Sequence, residues 1–441
     1  MKTYHRLFVL VLLTLLPVLA LITLFTPLAI ASSLSDQAAS VKSKLQCDVP
    51  GIYATIQDAV DDPACTAILV GSGTFTEHVM ITRMVTIVGQ GMNNTVVNGN
   101  ASDTVFRIEA GGIVTLAELM ITDGAGLYGG GIYNALGTMT LDRIALNLNV
   151  ATNLGGGIFN SGVMTINDSI INGNISNDDG GGIQNNGGHI TINNSAFIGN
   201  VANFDGGGIH NNHGTVSLNE CTIRANRAGV GGGICNNTGG SLNMTHSTFR
   251  DNSADVNGGA IASGGNLSIL NSTFSDNDAG VWGGGIFNYG AGEAHQVTII
   301  SNTAVISGGG VFNLSGRVLM VTASIIANNV TADCAGLVAS QGYNIASDDS
   351  CNLNESGDMN NTDPLLGPLH DNGGLTQTHL PLVGSPVIDA GDPLNCPEVD
   401  QRGVLRPQDG DGDGNAICDI GAVEYEMESA FATYLPVTLK P

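Results

Sequence analysis

Five stretches alternate apolar and polar residues in the same phase: VMTINDSIINGN at 163–174, HITINNSAFIGN at 189–200, TVSLNECTIRAN at 215–226, SLNMTHSTFRDN at 241–252 and NLSILNSTFSDN at 266–277. A period of two marks strands with one face buried. No repeat holds the roughly 10 to 12 residues of 3.6-residue apolar spacing that a helix needs. Between these stretches stands a second pattern: GGGIYN at 129–134, GGGIFN at 155–160, GGGIQN at 180–185, GGGIHN at 206–211, GGGICN at 231–236, GGAIAS at 258–263, GGGIFN at 283–288 and GGGVFN at 308–313. Its β-branched residues, Ile132, Ile158, Ile183, Ile209, Ile234, Ile261, Ile286 and Val311, recur every 25 to 27 residues. A period that steady implies one supersecondary unit stacked on copies of itself.

Two or three short strands per repeat make one coil of an all-β, right-handed parallel β-helix, each coil bonded to the next at roughly 4.8 Å. The glycines permit positive φ and close backbone approach at a corner, and the isoleucine that follows points inward. Two asparagine columns fall in register. One is Asn134, Asn160, Asn185, Asn211, Asn236, Asn288 and Asn313, with Ser263 as the exception; the other is Asn149, Asn174, Asn200, Asn226, Asn252, Asn277, Asn302 and Asn328. Stacked amides at turns bond coil to coil, so both are expected to be ladders.

The cadence resembles the repeat of polymorphic outer-membrane proteins and, more broadly, of pectin-lyase-like β-helices. YATIQDAVDD, followed by TAILVGSGTFTEHVMIT and VTIVGQG, is similar to the opening of pectin-lyase-like domains. That resemblance implies a short amphipathic helix at about Ile56 to Val60 that plugs the coil stack, whose open end is otherwise an unpaired sheet edge.

Charge narrows the partners. The chain has 441 residues with 14 Lys+Arg against 39 Asp+Glu, a net charge of −25, and only 12% charged residues beside 62 glycines. Such acidity disfavours nucleic acid and anionic membranes and suits an extracellular protein. MKTYHR is a basic start, Leu7 to Ile30 is almost wholly apolar, and Ala29-Ile30-Ala31 supplies a cleavage site, so residues 1–31 are expected to be a secretory signal peptide. An uncleaved membrane anchor is the other reading of the same segment; no later segment is long and apolar enough to span a bilayer. Residues 32–46 read as a linker and 47–335 as the β-helix.

Eight cysteines fall into local couples: Cys47 with Cys65, Cys221 with Cys235, Cys334 with Cys351, and Cys396 with Cys418. After export, disulfides are the natural expectation, although eight cysteines allow 105 pairings.

Beyond about Cys334 the glycine repeat stops. NGGLTQTH, GSPVIDAGD, DQRG and CDIGAVE appear in order, and the region closely resembles the choice-of-anchor Q domain of bacterial surface proteins. The resemblance implies an exported protein and no chemistry, with the module at 336–425 and a tail at 426–441. Within that tail Leu435-Pro436-Val437-Thr438-Leu439 departs from a sortase signal at Leu439, where a glycine is required.

Three sets of residues are candidates for chemistry. DGDGDGN places Asp409, Asp411 and Asp413 at alternate positions, hard oxygen donors that suit Ca²⁺; position 12 is Ile420 where a calcium loop has glutamate, which leaves a solvated acidic turn as the other reading. Asp179 and Asp205 fall in register on adjacent coils with Asp178 alongside, and two carboxylates one coil apart can bind a cation or share a proton. No Arg or Lys occurs between Arg143 and Arg224, however, and His210 and His213 lack a triad partner in the sequence. Finally, the residue after each inward isoleucine is expected to face outward. That row is Tyr133, Phe159, Gln184, His210, Cys235, Ala262, Phe287 and Phe312, whose aromatics could stack on sugar rings.

Uniform repetition of glycine, asparagine and small apolar residues favours a non-enzymatic surface or extracellular scaffold that contacts glycans or cell-surface components. The alternative is a polysaccharide lyase or glycoside hydrolase of the pectin-lyase-like class; the fold itself hosts both kinds.

Overall fold

The computed structural model describes residues 47–427, which belong to one compact unit. The expected signal peptide, the linker and all but the first two residues of the tail lie outside these described residues.

The chain is a right-handed parallel β-helix. The central coils have four short strands each, one or two more than the alternation alone suggests. One coil runs through Ile158–Asn160, Val163–Asn167, Ile170–Asn172 and Ile175–Ser176, and the next through Ile183–Asn186, His189–Asn193, Ala196–Ile198 and Val201–Ala202. Strands in register build four faces. Face a carries Val163–Asn167 and its copies, face b Ile170–Asn172, face c Ile175–Ser176, and face d Ile158–Asn160.

A single left-handed residue bends a into b: Asp168 at φ 48°, Asn194 at 43°, Glu220 at 55° and His246 at 51°. Alternation continues on both sides of the bend, which is why the sequence reads as one strand. The corner from c to d needs the glycines. Gly180 has φ 68°, and a Cβ on Gly181 would sit 2.4 Å from the Gly207 carbonyl oxygen of the next coil. Backbone therefore lies on backbone there, as only glycine allows.

Inside, Ile132, Ile158, Ile183, Ile209, Ile234, Ile261 and Ile286 stack fully buried on face d, while Ile171, Phe197, Ile223, Phe249 and Phe274 stack on face b. Burial of each such side chain contributes about 1.5–3 kcal/mol. Face c presents alanines, Ala202, Ala228, Ala254 and Ala279, so the coil is narrow there.

Both asparagine ladders form. In the corner from b to c, Asn200 Oδ1 accepts from Asn174 N and Nδ2 at 3.0 and 2.9 Å, and Asn200 Nδ2 donates to Ile171 O and Asn226 Oδ1, both at 2.9 Å. The last rung is Asn329, which accepts from Asn302 Nδ2 at 3.0 Å. Asn328, the expected rung, instead has φ 57° and occupies the bend; the final coil is one residue longer, which moves the rung on by one. On face d, Asn134, Asn160, Asn185, Asn211 and Asn236 bond in sequence, and Ser263 Oγ takes the next place at 3.1 Å.

The helix Ile56–Asp61 forms where the resemblance placed it, with Thr55 Oγ1 accepting from Asp58 N and Ile56, Ala59 and Val60 buried over the first coil. Beyond 335 two further strands, Val338–Ser340 and Ile345–Ala346, continue faces a and b. The chain then returns along the outside of face b. Thr248 Oγ1 donates to Gln377 O at 2.6 Å, Thr273 Oγ1 to Gln401 Oε1 at 2.6 Å, and Ala422 N to Thr298 Oγ1 at 3.1 Å. Ile325 and Ala327 are covered by Val387 and Ile420.

Cys47–Cys65, Cys334–Cys351 and Cys396–Cys418 are bonded, and Cys221 and Cys235 are free and buried. The expected fourth disulfide is therefore corrected. Cys221 occupies a rung of the hydroxyl column at the corner from a to b, where Ser169, Ser195 and Ser247 each donate to the carbonyl two residues back, and its Sγ does the same to Asn219 O. Cys235 lies on face d. Although they follow one another among the cysteines, the two occupy different sides of the coil.

Candidate functional site

Where face a meets the returning segment, a cleft of about 570 Å³ opens. Its floor comes from the outward positions of face a, where Ser268, Glu293 and Met320 are partners in register on successive coils. Its wall holds Gln341, Asp392 and Asn395. Ser268 Oγ donates to Glu293 Oε1 at 2.9 Å, and Asp392 is held by Leu394 N and Asn395 Nδ2. His295 lines the same cleft, and its Nε2 is buried without a protein partner. Burial, aided by the charge of Arg406, lowers the His295 pKa, against the pull of Asn395, Asp392 and Glu293. The imidazole is therefore neutral at pH 7. The lining contains two carboxylates and no lysine or arginine. Sequence reasoning missed this cleft because its wall and floor lie far apart in the chain.

The returning segment explains the C-terminal motifs structurally. From DQRG, Asp400 pairs with Arg402 at 2.8 Å. Arg406 sits 3.6 Å from Glu424, which also accepts from Gln408 N and Asp419 N. These groups are buried and fold the segment onto the solenoid.

The acidic loop divides differently from expectation. Asp409 and Asp411 come together with Asp389, their carboxylate oxygens within 4.8 Å of one another. Asp413 turns aside to accept from Asn415 N at 2.7 Å. Asp389 thus stands where the sequence suggested Asp413.

The aromatic row is corrected. Phe159 and Phe287 are only 7% exposed, and Tyr133 and Phe312 are half-buried. Residues on the turn before each triple glycine cover them: Tyr128 lies 5.3 Å from Phe159, and Trp282 lies 5.1 Å from Phe312 between ring centres. The row does point away from the coil interior, but the turn folds over it, so no continuous sugar-stacking surface is presented.

In the middle coils the same two rows are polar. Asp179 and Asp205 stand in the covering row, and Gln184, His210 and Cys235 lie beneath. The predicted register of the two aspartates is present: Asp205 N donates to Asp179 Oδ1 at 3.0 Å. His210 Nδ1 lies 2.8 Å from Gln184 Oε1 and 3.2 Å from Asp179 Oδ2, and its Nε2 is 2.8 Å from Asn237 Nδ2. Burial raises the Asp205 pKa, and burial with the neighbouring Asp205 and Asp179 raises that of Cys235 well above the usual thiol value. His210 thus acquires the partners that its sequence neighbourhood lacks. His213 is exposed and bonds to Asn212 Oδ1.

No protein-family model and no curated protein matches the chain. Solved structures of similar outline include a pectate lyase at 15% identity, covering 82% of this chain and 88% of the other with a TM-score of 0.41. A second is an alginate lyase at 11% identity, covering 76% and 55% with a TM-score of 0.42. A third is a mannuronic-acid-specific lyase from human gut microbiota at 11% identity, covering 63% and 74% with a TM-score of 0.32.

Proposed function

We propose that this is an extracellular β-helix that holds a neutral polysaccharide chain in the cleft between face a and the returning segment. The carrying observation is the cleft itself, a floor of Ser268, Glu293 and Met320 repeated one per coil, walled by Asp392 and Asn395. Hydroxyls, amides and carboxylates on a fixed sheet match the hydroxyls of a sugar chain, and Met320 offers an apolar surface to a ring. With two carboxylates and no cation in the lining, a polyuronate would be repelled. Three disulfides fit an oxidising compartment. No helix among the described residues is long and apolar enough to cross a membrane. The resemblance to the choice-of-anchor Q domain supports display or release at a bacterial surface.

Hydrolysis is the second reading, favoured by the convergence of Glu293, Asp392 and a neutral His295 on one cleft, since glycoside cleavage works through paired carboxylates. One experiment separates the two. The chain is incubated with neutral and acidic polysaccharides, with and without calcium, and retention, reducing ends and unsaturated uronate absorbance are followed. Retention of a neutral polymer without new ends supports holding; reducing ends lost in Glu293→Gln support hydrolysis. Unsaturated uronate product, or no retention of any polymer, overturns the proposal.

A further inference from the structure

The covering and covered rows of face d are aromatic toward both ends of the stack and polar in the middle, and the polar part collects metal-binding side chains. Ligand atoms of Asp205, His210 and Cys235 all lie within 4.8 Å of one another. His210 and Cys235 are 2% and 1% exposed, while Asp205 is half-buried at the outer edge. Two more carboxylates, Asp178 and Asp179, adjoin. No lysine or arginine occurs between Arg143 and Arg224, and Arg227 is engaged outside by Asp255 at 2.7 Å. Anionic groups thus gather around one imidazole with no fixed cation among them, an arrangement that burial makes costly unless positive charge is supplied.

We propose that Asp205, His210 and Cys235 form a buried site for a borderline divalent cation of the zinc class. One oxygen, one nitrogen and one sulfur donor suit zinc and exclude calcium or magnesium, which take oxygen. Gln184 Oε1, 2.8 Å from His210 Nδ1, and Asp179 Oδ2, 3.2 Å from it, together hold that nitrogen protonated and leave Nε2 as the donor, with Asp179 the positioning carboxylate behind the histidine. Two of these donor atoms also have protein partners. Asn237 Nδ2 donates to His210 Nε2, and Cys235 Sγ lies 3.6 Å from Asn237 Oδ1. Loading the cation therefore requires the Asn237 amide to turn away and the Cys235 thiol to release one proton to solvent. Tyr289 roofs the site, 3.4 Å from Asn237 Oδ1. It does so because Gly264 beneath has no side chain; a Cβ there would lie 2.0 Å from the Tyr289 ring.

The test uses the full chain and cobalt(II), whose bond to a thiolate gives a charge-transfer absorption that carboxylate-bound cobalt lacks, so the acidic loop cannot imitate it. Cobalt is added to the folded protein and, separately, during refolding after chelator treatment, and zinc per chain is measured by elemental analysis. The expected result is one metal per chain and a thiolate–cobalt band that Cys221→Ser retains and Cys235→Ser loses. His210→Gln should weaken binding by about 100-fold, and Asp179→Asn by about 10-fold while keeping the band. Circular dichroism establishes that each variant is folded. Absence of the band in the folded wild-type chain by both loading routes, or its survival in Cys235→Ser, overturns the proposal.

Discussion

At the scale of single residues the molecule depends on positions that repeat and cannot vary. The Asn200 side chain makes four hydrogen bonds at full burial. Replacing it by alanine leaves buried donors and acceptors on both adjoining coils without partners. Each such group costs about 1–3 kcal/mol, so a loss of roughly 3 kcal/mol is expected for Asn200→Ala in urea unfolding. Asn203, three residues further on and exposed, is the control and should change stability by less than about 0.5 kcal/mol. Gly181→Ala should prove worse than any ladder substitution, because its Cβ would meet backbone carbonyls of the next coil at 2.4 and 2.5 Å. Failure to accumulate as folded protein is the expected outcome, and an unchanged melting temperature would contradict the backbone-on-backbone corner.

At the scale of elements, what the sequence disclosed and what it hid follow from one geometry. The period, the inward isoleucines and the capping helix were legible because each coil repeats the same environment. The fourfold division was not, since a lone left-handed residue such as Asp168 or Glu220 bends the chain without breaking alternation. The aromatic row was legible as a row, but its burial was not, because Tyr128 and Trp282 cover it from turns. Asp179 and Asp205 were legible by register, whereas Cys235 was misassigned by even-number pairing when its true neighbours lie on adjacent coils.

The contact of faces a and b with the returning segment has a predictable response to pH. His246, His295 and His379 all lie along it, and burial is the first cause of a lowered pKa in each. Glu220, Asp400, Asp276, Asp392 and Glu293 oppose that shift, and Arg406 reinforces it at His246 and His295. The unfolded chain then binds more protons than the folded one below the ordinary histidine value of 6.5. Stability from this contact is present above that value and falls as the pH drops through it toward the folded pKa values. Asp419, pushed up to about 8 by burial and the neighbouring Glu424, and Glu424, raised by burial, act in the opposite sense, so hydrogen exchange should accelerate between about pH 6.5 and 5 around His379, at residues 364–385, before that of the central coils; uniform exchange would count against it. In the same segment, calcium is expected to raise the melting temperature through Asp389, Asp409 and Asp411, an effect that Asp389→Asn removes and Asp413→Asn leaves largely intact. An equal response from the two variants would return the site to its sequence-based assignment.

At the scale of the whole molecule, a rigid solenoid spaces identical outward positions at one coil each, and the returning chain turns part of one face into a cleft. That arrangement is invisible to any local reading, since Ser268 and Asp392 are separated by more than a hundred residues. It also predicts where a glycan is held and where it is not: Phe287→Ala should leave binding unchanged, because Phe287 is covered. The most direct measurement is equilibrium binding of the best-retained neutral polysaccharide to the wild-type chain and to Ser268→Trp, which fills the cleft floor from an outward position without touching the core. Binding weakened by at least about 10-fold, with an unchanged melting temperature, is the expected result. Equal binding by both chains would contradict the assignment of the cleft.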